Sequence, residues 1–117
     1  MPHYHKRTLE GTIRRISGRF PVLLLTGPRQ VGKTTLLRRL AKRQRSYVSL
    51  DDPATRSLAL EDPRLFLQRF RPPVLIDEFQ YAPELLPFIK LAVDETRAPG
   101  AFWLTGSQQF QAMQGIT

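Results

Sequence analysis

Residues 27 to 34 read Gly-Pro-Arg-Gln-Val-Gly-Lys-Thr and stand between an apolar run at 22–25 and a helix-like stretch at 35–43. No other segment constrains the fold as tightly, because the pattern G-x-x-x-x-G-K-[ST] needs a strand, a tight loop and a helix in that order. Gly27 and Gly32 allow positive φ and a close approach to an anion with no Cβ in the way, so successive amide N–H groups point inward as a nest. The helix opening near Lys33 adds its unpaired amides and the positive end of its dipole. The segment therefore reads as a cradle for a nucleoside triphosphate, formed by Gly27, Pro28, Arg29, Gln30, Val31, Gly32, Lys33, Thr34 and Thr35. Within it, Lys33 is the point charge on the β/γ-phosphates and the Thr34 hydroxyl a ligand for Mg2+. The side chains of Arg29, Gln30 and Val31 fill variable positions of the pattern and are assigned no chemistry.

Asp77 follows Lys33 by 44 positions and closes a short apolar strand, Val74-Leu75-Ile76, with Glu78 directly after it. A strand of this kind, buried between neighbours in a parallel sheet, presents its active groups at its carboxyl end, the edge where the glycine loop also sits. Asp77 is then the residue that holds Mg2+, directly or through water, and Glu78 the base that orients and deprotonates an attacking water. Two acids after an apolar tetrad also occur at purely structural strand ends; the preceding loop at this spacing favours the chemical reading.

A third apolar strand, Phe102-Trp103-Leu104, runs into Thr105-Gly106-Ser107. Lying between the strands that carry the loop and Asp77, it brings its tip beside the γ-phosphate, where Ser107 is the expected sensor, with Thr105 and Gln108 as alternatives. Trp103 is expected in the core.

The remaining chain supplies the frame. Leu9, Ile13 and Ile16 recur at helical spacing, so 7–17 reads as an amphipathic helix ending at Gly18. Strand one spans 21–26, a helix 33–44 follows with Leu36, Leu37, Leu40 and Ala41 inward, and strand two is 47–50. Asp52 before Pro53 reads as a helix cap, or alternatively as an acid on the active edge. Helical pieces at 54–60 and 63–70, the second capped by Asp62, lead through Arg71-Pro72-Pro73 into strand three. A helix over 84–95 puts Leu85, Phe88, Ile89 and Ala92 on one face, and Pro99-Gly100 turns the chain into strand four.

Composition narrows the classes. At 117 residues the chain makes one domain, 1–117, with its nucleotide-binding core at 20–117, and is short for a complete nucleotide-hydrolysing α/β module. It has no Cys, hence no disulfide or thiolate-metal framework, and no apolar run long enough to span a membrane, so a cytoplasmic protein without a membrane partner is expected. His3 and His5 fall in a terminal stretch and are assigned no metal. The formal charge is +8, but residues 1–45 hold 12 Lys/Arg against Glu10 alone, whereas 46–117 hold 6 against 9 acids. Arg38, Lys42 and Arg45, with Arg39 and Arg43 beside them, look like the outer face of the helix after the loop. Two readings stand: a solvated helix face, or a stripe that tracks a nucleic-acid backbone.

Alternation of strands and helices makes this an α/β chain with a parallel sheet in three layers. At Gly27 to Thr35, Ser49-Leu50-Asp51-Asp52-Pro53, Leu75-Ile76-Asp77-Glu78-Phe79-Gln80 and Leu104-Thr105-Gly106-Ser107, it resembles the AAA-type ATPase domain of a prokaryotic family of ATP-binding proteins. The resemblance runs from about Thr8 to the last residue. It implies an αβα P-loop NTPase of the AAA/ASCE type with strand order 2-3-4-1, and ATP with Mg2+ as the bound cofactors. Family members usually continue into the rest of the module, with an arginine finger and second sensor, and then into a domain resembling restriction nucleases. The resemblance thus implies an N-terminal fragment with the fifth strand and lid missing. The open edge of strand one is expected to promote association, including homo-oligomers. Two rivals remain: a small-molecule phosphotransferase, which has no need of Glu78, and a basic nucleic-acid-binding module regulated by nucleotide.

Overall fold

A computed structural model of the chain describes residues 6–26, 37–40 and 45–106, with side chains described from residue 10 onward. The elements are α1 (Lys6–Ser17), β1 (Val22–Thr26), a helical turn α2 at residues 37–40, β2 (Ser46–Ser49), α3 (Pro53–Glu61), α4 (Pro63–Arg69), β3 (Val74–Asp77), 3-10 turns at Phe79–Tyr81 and Pro83–Leu85, α5 (Leu86–Thr96) and β4 (Phe102–Gly106). Among the described residues four strands form one parallel sheet in the order β1-β4-β3-β2. Register sets Val22 beside Phe102, Thr26 beside Gly106, Ile76 beside Leu104 and Ser49 beside Asp77.

Strand side chains alternate between faces, and here both faces are apolar, as a sheet covered on two sides requires. Leu23, Leu75 and Trp103 pack with Ile13 of α1 and Leu37 of α2. Val74, Ile76, Phe102 and Leu104 point the other way, into a larger cluster with Ala59 of α3, Phe66 of α4 and Ile89 of α5. The result is three layers. Phe66, Phe79 and Phe102 are fully buried, each worth about 1.5–3 kcal/mol of transfer free energy.

Local chemistry explains the helix boundaries. Asp52 accepts from the Thr55 N–H at 2.9 Å and from its hydroxyl at 2.8 Å, with Pro53 in the first turn, where its missing N–H costs nothing. Those bonds hold the Asp52 carboxyl below its ordinary pKa; the residue acts as a cap. Asp62 accepts from the Leu65 N–H at 3.1 Å and caps α4 in the same way. The helix expected over 84–95 begins later. Pro87 lies in the first turn of α5, so regular helix starts at Leu86, and Pro83–Leu85 is a 3-10 turn.

Among the described residues β1 and β2 are the sheet edges, and on β1 Leu24 is 43% exposed. The amino ends of the strands are tied by a compact cluster. Arg45, ahead of β2, lies with its guanidinium 3.8 Å from the centre of the Trp103 ring and donates to the Gly100 carbonyl at 2.6 Å. The Trp103 indole N–H donates to the Ser17 hydroxyl at 3.0 Å, and the Gly100 N–H to the Phe20 carbonyl at 2.8 Å. Gly100 has φ +69°, and a Cβ there would come 2.4 Å from Ser17 Oγ. Gly100→Ala therefore meets both backbone strain and a clash with the group that receives the Trp103 bond. We expect a loss of about 1–3 kcal/mol, read as a lower urea midpoint with an unchanged slope.

Candidate functional site

Parallel strands end together, so the carboxyl edge of the sheet collects the last residues of all four. β1 ends at Thr26, immediately before the glycine loop, and Thr26 is paired with Gly106 of β4. On the other side of β4 stands β3, whose last residue is Asp77. Thr26 and Asp77 are thus two strand spacings apart, roughly 10 Å, on the same edge. The loop residues Gly27 to Thr35, Lys33 and Thr34 among them, lie outside the described residues, as do Ser107 and Gln108.

Asp77 is the centre of what is described. Its side chain is 6% exposed and it receives three donors: the Thr105 hydroxyl and the Glu78 N–H (3.0 Å) on Oδ1, and the Tyr47 hydroxyl (2.9 Å) on Oδ2. All three partners donate, the pattern of an acceptor-only carboxylate. Among the described residues they use three of about four lone-pair directions, leaving one on Oδ2. A hard oxygen donor with one direction free suits Mg2+, which takes one or two carboxylates and keeps much of its water.

Thr105, the alternative to Ser107 as phosphate sensor, is 2% exposed and committed to Asp77. Glu78 leaves the strand in the left-handed region (φ 56°, ψ 48°), a conformation that costs a residue with a Cβ and that gathers at functional sites. Its Oε1 accepts from Gln80 Nε2 at 2.8 Å. Arg56 braces the loops at this edge, donating to the carbonyls of Leu50 (3.0 Å) and Asp51 (3.4 Å) and lying 4.1 Å over the Tyr81 ring.

Tyr47 is a site residue that strand patterning did not single out. It sits on β2 beside Leu75, two positions before the Ser49–Asp77 pair, so its side chain shares a face with Asp77 and reaches along the neighbouring strand. Burial first, then the bond to Asp77, pushes its hydroxyl up to about 12. Arg38 of α2 lies over the ring at 4.6 Å.

The basic stripe expected on the helix after the loop does not include Arg45. Arg38 and Arg39 are exposed on α2, whereas Arg45 turns inward onto Trp103, and burial pulls its guanidinium down to about 10. The expectation extended helical spacing beyond the point where the chain turns into β2. Lys42 and Arg43 lie outside the described residues. None of the described helices is long and apolar enough to cross a membrane.

A family model described as an AAA domain matches residues 19–117. Curated relatives include an uncharacterized protein of Mycobacterium bovis and one of Mycobacterium tuberculosis, each 37% identical over 102 residues. The match covers 87% of this chain and 23% of each relative, so the chain spans about a quarter of their length.

The Asp77 network has a direct stability consequence. Thr105→Val keeps the shape and removes a donor from a buried carboxylate, which should cost about 1.5–3 kcal/mol. Thr105→Ser keeps the donor and should recover most of that loss. Chemical denaturation of the three proteins checks both.

Proposed function

The chain belongs to the AAA-domain family, whose members are built on a P-loop ATPase-type nucleotide-binding module, and on that premise we propose that it binds ATP with Mg2+, hydrolyses it slowly and uses the bound state as a conformational switch. The observation that carries this reading is the shared edge: the strand leading into the glycine loop and the strand ending in Asp77 flank β4 and finish at the same edge of the sheet. A loop that cradles phosphates and a carboxylate that holds their counter-ion need that adjacency.

In this reading the amides of Gly27 to Thr35 and the Lys33 ammonium bind the phosphates, while Thr34 and Asp77 hold Mg2+. The metal, when bound, neutralises charge on the β- and γ-phosphate oxygens. Glu78 orients the attacking water and takes its proton, with Gln80 fixing the carboxylate through the 2.8 Å hydrogen bond. Ser107, following β4, senses the γ-phosphate. Loss of that phosphate changes the charge next to the tip of β4, which is what a switch between two nucleotide states requires.

Two substitutions separate binding from chemistry. Lys33→Ala should abolish ATP binding measured by calorimetry. Glu78→Gln should bind ATP as the parent does and lose phosphate release by roughly 10²–10⁴-fold, the usual contribution of a positioned base. Phosphate release from Glu78→Gln equal to that of the parent would remove Glu78 from its role as the base.

A further inference from the structure

We propose that Tyr47 is a positioning residue for Asp77: its hydroxyl fixes the rotation of the carboxylate, and Arg38 over its ring ties that orientation to the helix that follows the phosphate loop. The inference rests on the reading of Asp77 as the residue that holds Mg2+.

The need for such a residue follows from the aspartate side chain. The torsion that turns its carboxyl plane has a broad, roughly two-fold profile, so a carboxylate held at one oxygen still rocks about it. Thr105 and the Glu78 N–H both act on Oδ1. Tyr47 is the described donor on Oδ2, at 2.9 Å, and closes the third corner. Its place explains the residue type. β2 pairs Tyr47 with Leu75 and Ser49 with Asp77, so the donor must come from two residues away along the neighbouring strand, a span that a phenol covers and a Ser or Thr hydroxyl does not.

Tyr47 is also the point where two elements meet. It is 37% exposed at the β2 edge, with Arg38 packed 4.6 Å over its ring from the described turn of α2. A hydroxyl that merely tied an edge strand to the sheet would affect stability alone. A hydroxyl that orients a metal-holding carboxylate affects the metal dependence of nucleotide binding.

The test measures affinity for a fluorescent ATP analogue across a Mg2+ titration and in EDTA, using the 117-residue chain, Tyr47→Phe, Asp77→Asn and the double variant. Tyr47→Phe should keep the EDTA affinity within about twofold, because it leaves the phosphate cradle intact. The Mg2+ concentration giving half of the affinity gain should rise roughly five- to tenfold, as for loss of a hydrogen bond to a charged acceptor. In the Asp77→Asn background the same change should have an effect below about twofold, since coupled residues do not add. A half-point unchanged in folded Tyr47→Phe, or an equal shift in both backgrounds, overturns the proposal while leaving the ATP-binding reading intact. A parent chain that binds ATP with no Mg2+ dependence overturns both. Should Tyr47→Phe fail to fold, Arg38→Gln decides: it keeps the hydroxyl, removes the stack and should shift the half-point roughly threefold, and no shift overturns the proposal.

Discussion

A carboxylate, Asp77, is buried where three parallel strands end, and the architecture around it depends on keeping it satisfied. An unpaired carboxylate taken out of water costs several kcal/mol or more. Here the cost is met by donors from three different parts of the sheet: Tyr47 from β2, Thr105 from β4 and the backbone of Glu78 just past β3. The two side-chain donors are in place only in the observed register, since a shift of one residue would turn Tyr47 or Thr105 to the opposite face. The network thus selects the alignment of β2, β3 and β4 as well as the orientation of the acid.

The two ends of the sheet do different work. At the amino ends, Arg45, Trp103, Ser17 and Gly100 lock together through a stacked cation, an indole hydrogen bond and a glycine that no other residue replaces without strain. At the carboxyl ends the chain gathers polar groups, a left-handed Glu78 and loops braced by Arg56. This division is the general one for open α/β sheets, in which ligands meet the strand carboxyl ends. It also explains why strain is tolerated at Glu78: the layers on both sides of the sheet, filled by residues such as Leu75, Trp103, Ile76 and Phe66, supply the stabilisation.

Much of this was legible in the sequence because it is local. Apolar runs ending in small or acidic residues gave β1, β3 and β4 close to their observed limits, and Asp52-Pro53 and Asp62-Pro63 announced their helices because a cap and a proline at the first turn act within three residues. Pro87 carried the same kind of signal and delays α5 to Leu86. The long-range contacts were not legible. Tyr47 looks like any aromatic at the start of a strand until β2 is placed beside β3, and Thr105 looks like a free hydroxyl at a strand tip until Asp77 is set against it. Arg45 belongs to a run of positive charge by composition, yet Trp103, 58 positions away, holds it half-buried against its ring. Each of these depends on which strands are neighbours, information that periodicity along one segment does not contain.

The central claim is that bound nucleotide and its metal sit at the carboxyl edge, against Asp77. Paramagnetic Mn2+ in place of Mg2+ tests this directly, through the broadening of backbone amide signals when Mn2+ and ATP are added together. The account predicts loss of the Asp77, Glu78 and Gly106 signals, while Phe20 and Gly100, at the other end of strands about 16 Å long, stay sharp. Broadening centred on Gly100, or none at either end with ATP bound, would contradict it.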